Sequence, residues 1–503
     1  MSTLLSRARF FALTLATGLA LVLGFAGPVS ADTRVGAVFS TAQSDWQSFL
    51  RFYNTGSAAG SAVVVVQDFN SGQTLGQWIS PPIPAGAEQQ YDIKTLETAI
   101  GITNKPYYYS ISVQTPFVGY FQHVLWRAAD GTLTNLSTCD VGVTAASTTL
   151  VGVHSSLLNY GYPSTIVVNN TGTQASAVAL GIYDARDGVK LGTYTTTAIP
   201  VGGAQTIAVA NIESGIGRAP TPSMYHYVIK DENPSPFTGF FQNLVNNLQS
   251  GVTTDMTTEC ALNGAPVTGS SMPIRIGAVF STAQLSSRSY LRVFNTGASP
   301  ATVAVNLRDQ VSGQSYGTWV SPFVNPGAEQ QFGIDIIENS VLGGASKPPY
   351  YTISVQSNMQ GFIQHVLWRV TDGTLTNLST CSSGVTADKT RLTGVHSSLL
   401  GNAYPSQIYV NNLGAANSAT LGIYDARDGT LRGTYTTPSI HSNGQFTAAA
   451  SSLEVAIGRS PGDSAMYHYV VKIENPFNGF MEHLVNNLQA RVLTDMTTAC
   501  AMN

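Results

Sequence analysis

One phrase occurs four times in this chain. DGTLTNLSTC spans Asp130 to Cys139 and returns unchanged at Asp372 to Cys381, while TDMTTEC ends at Cys260 and TDMTTAC at Cys500. These phrases hold every cysteine in the sequence. Longer stretches repeat with them: RVGAVFSTAQ from Arg34 returns from Arg275, GVHSSLL from Gly152 at Gly394, and GIYDARDG from Gly181 at Gly422, at an offset of about 241 residues throughout. Each long copy is itself a worn duplication. Asn54-Thr55-Gly56 matches Asn170-Thr171-Gly172, and PFVGYFQHVLW from Pro116 matches PFTGFFQNLVN from Pro236. The chain therefore reads A-B-A′-B′, and any fold must give four similar units similar surroundings.

A unit of about 120 residues is too long for a solenoid repeat or a single propeller blade. It suits one small β-sandwich. Local signals favour strands: SAVVVVQDF, YYTISVQ and YHYVVKI are short, β-branched or aromatic, and bounded by Gly, Asn, Pro and Ser. Asp187-Gly188 and Asp428-Gly429 supply turns that need positive φ. YDIKTLETAI around Lys94 and FGIDIIENSV around Asp335 read as one or two helical turns crossing between sheets. The expectation is an all-β protein of four tandem immunoglobulin-like sandwiches in two duplicated pairs: A at 32–143, B at 144–264, a linker at 265–272, A′ at 273–385 and B′ at 386–503.

Residues 1–31 read as a secretory signal peptide. Arg7 and Arg9 form the positive segment, Phe10 to Phe25 the apolar run, and Pro28-Val29-Ser30-Ala31 the cleavage site. The run is too short for a transmembrane anchor. Without Arg7 and Arg9 the formal net charge goes from −4 to −6. No basic block offers phosphates a contact, which argues against nucleic acid as a partner.

The order Asn54-Thr55-Gly56, an Asp68-to-Gly72 turn, then Pro84-Ala85-Gly86-Ala87 resembles the turn grammar of immunoglobulin-like and fibronectin-III-like modules in bacterial exported and surface proteins. That resemblance covers most of each unit and implies a spacer, an adhesive unit or a binding platform. The tryptophan and cysteine pair of antibody domains is absent.

An even cysteine count in an exported chain implies disulfides. Free structural thiols are the alternative. A unit with one cysteine cannot close a bridge inside itself, so any bridge among Cys139, Cys260, Cys381 and Cys500 joins units or molecules. Three pairings are open within the chain. Cys139–Cys260 and Cys381–Cys500 are favoured, because they repeat with the long period and would place A beside B about a pseudo-twofold axis.

Chemistry is sparse. His123 and His365 share a slot that is Asn243 in unit B and His483 in B′; His154 and His396 share one that is Phe39 and Phe280 in the A units. Such exchanges point to packing or local hydrogen bonds. No metal-ligand spacing, nucleophile elbow or phosphate loop occurs, and no cofactor is expected. The Asp184/Asp187 and Asp425/Asp428 pairs read as turn residues rather than a Ca²⁺ loop. The positive hint of binding is aromatic. Trp78 and Trp319 share one slot, Trp126 and Trp368 another, and such rings can stack on sugars. The function expected is a non-catalytic, exported structural or adhesive protein at or outside the cell surface, with surface polysaccharide, other exported proteins or further copies of itself as partners. A carbohydrate-binding protein is the second reading, and a secreted hydrolase with an unrecognised site the third.

Overall fold

The computed structural model describes residues 33–140, 148–158, 161–221, 224–263, 274–382, 389–400, 403–459 and 468–502. The expected signal peptide and the 265–272 linker lie outside these residues. Among them, no helix is long and apolar enough to cross a membrane.

Each unit builds two small antiparallel sheets, eight in all. In unit A one sheet takes Thr33–Phe39, Tyr108–Gln114, Val63–Asp68 and Thr74–Ile79. The other takes Trp46–Asn54, Glu88–Asp92 and Gly119–Arg127. Valines 35, 38, 64 and 66 of the first meet Leu50, Phe52 and Phe121 of the second in a buried core. Units B, A′ and B′ repeat the pair.

The outer faces are packed as well. Between A and B, Phe39 and Phe69 pack on Val167, Ala204 and Leu244. Between B and A′, Val151 and Val228 meet Phe294 and Phe362. Between A′ and B′, Ala278 meets Tyr409 and Leu484. Between B′ and A, Ala426 and Val470 meet Tyr53. Every sheet thus has a neighbour on both faces, and the last unit meets the first. The architecture is an eight-bladed β-propeller of small sheets, two blades to a unit.

This corrects the expected four tandem immunoglobulin-like sandwiches. A sandwich sheet keeps one face in water and alternates buried with exposed residues. Gly119–Arg127 is instead buried at six of its nine positions, on both faces. The repeat length misled because one unit supplies two blades. The low charge now has a physical cause. Charged residues make up 10% of the chain against a usual value of about 25%, because outer sheet faces that would meet water in a sandwich lie inside the ring.

The repeated phrase forms the hub. Its short strands, Leu133–Asn135, Thr253–Asp255, Leu375–Asn377 and Val492–Asp495, meet in a circle. Thr134 Oγ1 donates to the Thr253 carbonyl at 2.8 Å, Thr254 Oγ1 to Leu375 at 2.7 Å, Thr376 Oγ1 to Leu493 at 2.7 Å, and Thr494 Oγ1 back to Leu133 at 2.7 Å. A second circle runs through the turns. The Ala204, Glu329, Gln445 and Glu88 amides donate to the Phe69, Ala185, Gln310 and Ala426 carbonyls of the preceding unit. The Asp-x-x-x-Gly turn and the Pro-x-Gly-Ala loop that resemble immunoglobulin modules are therefore docking surfaces between units. Gly188 has φ 74°, and a Cβ there would lie 2.4 Å from the Pro326 carbonyl oxygen. Only glycine satisfies both demands.

The helical expectation near Lys94 and Asp335 corresponds to Ile93–Ile100 and Ile334–Leu342. Asp92 caps the first, accepting from the Thr95 amide at 2.8 Å. Units B and B′ carry counterparts at Val209–Gly215 and Ala450–Ala456. The periodicity was too faint there to mark them, over seven residues with no side-chain cap.

The disulfides join Cys139 to Cys500 and Cys260 to Cys381. This corrects the favoured pairing of Cys139 with Cys260 and Cys381 with Cys500. The physical reason is strand exchange. Cys260–Asn263 leaves unit B and pairs with Gln360–Arg369 of A′, while Cys500–Met502 leaves B′ and pairs with Gly119–Arg127 of A. Each bridge locks a borrowed strand, and Cys139–Cys500 ties the two ends of the ring. Non-reducing peptide mapping should recover these two pairs, and Cys139→Ser with Cys500→Ser, which opens a loop spanning 361 residues, should cost up to about 6 kcal/mol of stability in denaturant titration. A Cys139–Cys260 peptide would contradict the ring closure.

Candidate functional site

The four seams between units are not alike. At the A–B seam Phe39 packs against Trp46 and Tyr108, with ring centroids 5.8 and 4.9 Å away. At the B–A′ seam the Phe39 slot holds His154, the Val167 slot holds Arg292, and the Ala204 slot holds Glu329. The seam opens there into a pocket of 610 Å³. A second pocket of 270 Å³ lies at the B′–A seam, where Arg51 and His396 take the matching positions.

Arg292 sits mid-strand in Ser287–Asn295 and is 3% exposed. Its Nε donates to Gln331 Oε1 at 2.8 Å. Its Nη2 lies 3.3 Å from His154 Nε2 and 3.5 Å from His226 Nε2. His154 Nδ1 lies 3.2 Å from the Tyr162 carbonyl, so the proton belongs on Nδ1 and Nε2 accepts from the guanidinium. Glu329 accepts from the Gly152 amide across the seam. Arg51 repeats the pattern: Nε donates to Gln90 Oε1 at 2.7 Å, and Nη2 lies 3.4 Å from His468 Nε2.

Burial sets the charge states. It lowers the His154 imidazole to about 3, with the Arg292 guanidinium adding to the effect, and it does the same to His396 beside Arg51. His226 and His468 are driven well below the usual imidazole range for the same reasons. All four are neutral at pH 7. Burial pushes the Glu329 and Glu88 carboxyls upward, against the pull of Arg292 and Arg51. Glu329 Oε1 and Arg51 Nη1 are buried without a hydrogen-bond partner. Each is a polar atom that a ligand can satisfy.

The four tryptophans that share repeat slots, out of five in the chain, divide between core and pocket. Trp78 and Trp319 are each 8% exposed, set edge-on against Tyr91 and Phe332 at 4.7 and 4.9 Å within the core. Trp126 and Trp368 line the two pockets. Their indole Nε1 groups donate to Tyr404 Oη at 2.9 Å and Tyr162 Oη at 3.2 Å, which fixes the rings. His123 and His365 lie elsewhere, fully buried and bonded to Ser48 and Ser289 hydroxyls at 3.0 and 2.8 Å. Asp184 and Asp425 pair with Arg186 and Arg427, and no group of potential metal ligands occurs among the described residues.

Sequence reasoning passed over Arg51, Arg292, Glu88 and Glu329. A signal was present: LRFYN and LRVFN place an arginine inside an apolar strand of a charge-poor chain, where unit B has Val167. No known family model matches the chain, and no curated protein resembles it at a significant level.

Two tests follow from this electrostatic arrangement. Arg292→Val leaves the Glu329 carboxylate buried without its guanidinium, with only the Gly152 amide bonded to it and the Glu259 carboxylate near, and should cost about 3–5 kcal/mol. Adding Glu329→Ala, which completes the unit B pair, should recover part of that loss in urea titration. Simply additive losses would show that the two groups do not sense each other. The second concerns pH. Burial also lowers His123 and His365 to about 3. A group lowered in the folded state contributes its full stability above its unfolded value near 6.5, and loses it as pH falls toward 3. His365→Asn, the residue unit B carries at this slot, should flatten the stability–pH curve in that window by up to about 1.4 kcal/mol per pH unit. An unchanged slope would contradict a buried neutral His365.

Proposed function

We propose that this protein is a non-catalytic, exported carbohydrate-binding protein whose seam pockets anchor it to surface glycans in an adhesive or structural role. The observation that carries the reading is the pairing, inside one pocket, of an oriented tryptophan with buried polar atoms of both kinds. A sugar hydroxyl can donate to Glu329 Oε1, the unpartnered acceptor of this pocket, beside an Arg292 guanidinium already held by Gln331, Gly152 and the histidines, while the apolar face of the ring lies on Trp368. Gln331, held by Arg292, adds a planar amide of the kind that reads hydroxyls. A pocket of 610 Å³ falls in the usual range of about 300–1,000 Å³ for small-ligand sites.

Absence of turnover draws support from the charge states. Histidines lowered to about 3 make poor general bases at neutral pH, and the pocket's carboxylate, Glu329, lies beside a guanidinium, while the second buried carboxylate it senses, Glu259, is outside the pocket lining. Export draws support from the two disulfides and from the leader-like first 31 residues. Titration calorimetry with neutral trisaccharides of glucose, mannose and galactose should find saturable binding to one of them, weakened tenfold or more by Trp368→Ala with Trp126→Ala. Failure of every sugar to titrate, or an unchanged affinity in the double variant, would refute the reading.

A further inference from the structure

The two pockets are one site written twice. His154, Arg292, Glu329 and Trp368 correspond to His396, Arg51, Glu88 and Trp126 at offsets of 241 or 242 residues. The relation between the copies follows from the hub. Its four threonine hydroxyls donate around the circle in one direction, A to B to A′ to B′ and back to A. The operation that carries A onto A′ and B onto B′ must preserve that direction. A twofold axis lying in the plane of the ring would reverse it. Only a half-turn about the central axis keeps it, and such a rotation leaves each face of the ring where it was. Both pockets therefore open on the same face, on opposite sides of the axis.

Among the described residues, side chains fill the remaining seams. Phe39, Trp46 and Tyr108 fill A–B, and Ala278, Leu367 and Tyr409 fill A′–B′. Among the described residues these two pockets give a valence of two, and the packed seams hold them in fixed geometry.

We infer that the protein binds a neutral polysaccharide bivalently, engaging two repeats of one chain, or of a densely coated surface, with a single face of the ring. The inference rests on the carbohydrate reading and extends it to the class of partner. The larger pocket is lined by a guanidinium with a carboxylate, Arg292 and Glu329, and in the smaller one the Arg51 guanidinium is backed by Glu88 just outside the lining, so a hydroxyl-rich neutral unit suits them better than a charged sugar, which would leave one of the two opposed. The unequal volumes of 610 and 270 Å³ add that a short oligosaccharide should see two sites of different affinity.

The test compares trisaccharides of glucose, mannose and galactose with their parent polysaccharides on the full chain. The expected result is two titrating sites for one trisaccharide and at least hundredfold tighter binding of its polymer, in line with gains of about 10²–10⁴ from tethering. Trp126→Ala should remove one trisaccharide site and reduce polymer affinity to that of the trisaccharide. Trp126→Phe, which keeps a ring in the slot, provides the second variant if the alanine form is misfolded by thermal melting, and should weaken the smaller site alone. A polymer that binds no tighter than the trisaccharide, with both sites titrating, would overturn bivalency and leave the carbohydrate reading standing. Tight polymer binding that survives Trp126→Ala undiminished would also overturn it. If no sugar titrates at all, the carbohydrate reading falls and bivalency with it. Immobilised polymer on a sensor surface, set against the same polymer in solution, distinguishes a coat from a single chain.

Discussion

Four threonine hydroxyls, each bonded to the backbone of the next unit, close a circle at the centre of this molecule. Each bond contributes modestly, about 0.5–1.5 kcal/mol. Their weight is topological. Each axial strand is only three or four residues long and could not persist alone. Only when all four units are present does every hydroxyl find its carbonyl. The outer turn bonds obey the same rule, as do the two borrowed strands, so the fold is cooperative around the ring. The last three residues described, Cys500 to Met502, complete a blade whose first strand begins at Trp46, and they pair there with Gly119–Arg127.

Closure explains why seams matter more than faces. A propeller blade buries both sides, so each outer face is read by a neighbouring unit. At A–B and A′–B′ the reading is largely apolar. At B–A′ and B′–A it is a guanidinium with its histidine acceptors, and a carboxylate that takes an amide from across the seam. Buried ionic groups are weak assets for stability. Their repetition at two seams, beside a fixed tryptophan and an open pocket, accords with a role in binding rather than in holding the ring together.

Much of this was legible from residues alone: the A-B-A′-B′ order, the strand-rich character, the turns at Asp187-Gly188 and Asp428-Gly429, the helices after Asp92 and Gly333, and the presence of disulfides. The cysteine pairing was not legible from period. A half-turn carries Cys139 to Cys381 and Cys260 to Cys500, so the pairs 139–260 and 381–500 obey the repeat, and so do 260–381 and 500–139. Symmetry cannot choose between them; strand exchange does. The sandwich expectation failed for a related reason. Gln122 and His123 look like solvent-facing positions in sequence, yet both are buried, because Gln122 donates to the Met496 and Thr498 carbonyls of another unit and His123, on the opposite face of the strand, bonds Ser48 inside its own. The site escaped because its members come from different units. Arg292 and His154 are 138 residues apart, and no local spacing joins them.

The central claim is a closed ring, and small-angle X-ray scattering of the purified protein tests it most directly. A compact body of this length should have a radius of gyration of about 23 Å, with a single-peaked distance distribution and no long tail. A substantially larger radius with a distribution trailing to long distances would mean that the four units are strung out, and would contradict the hub, the borrowed strands and the seam pockets together.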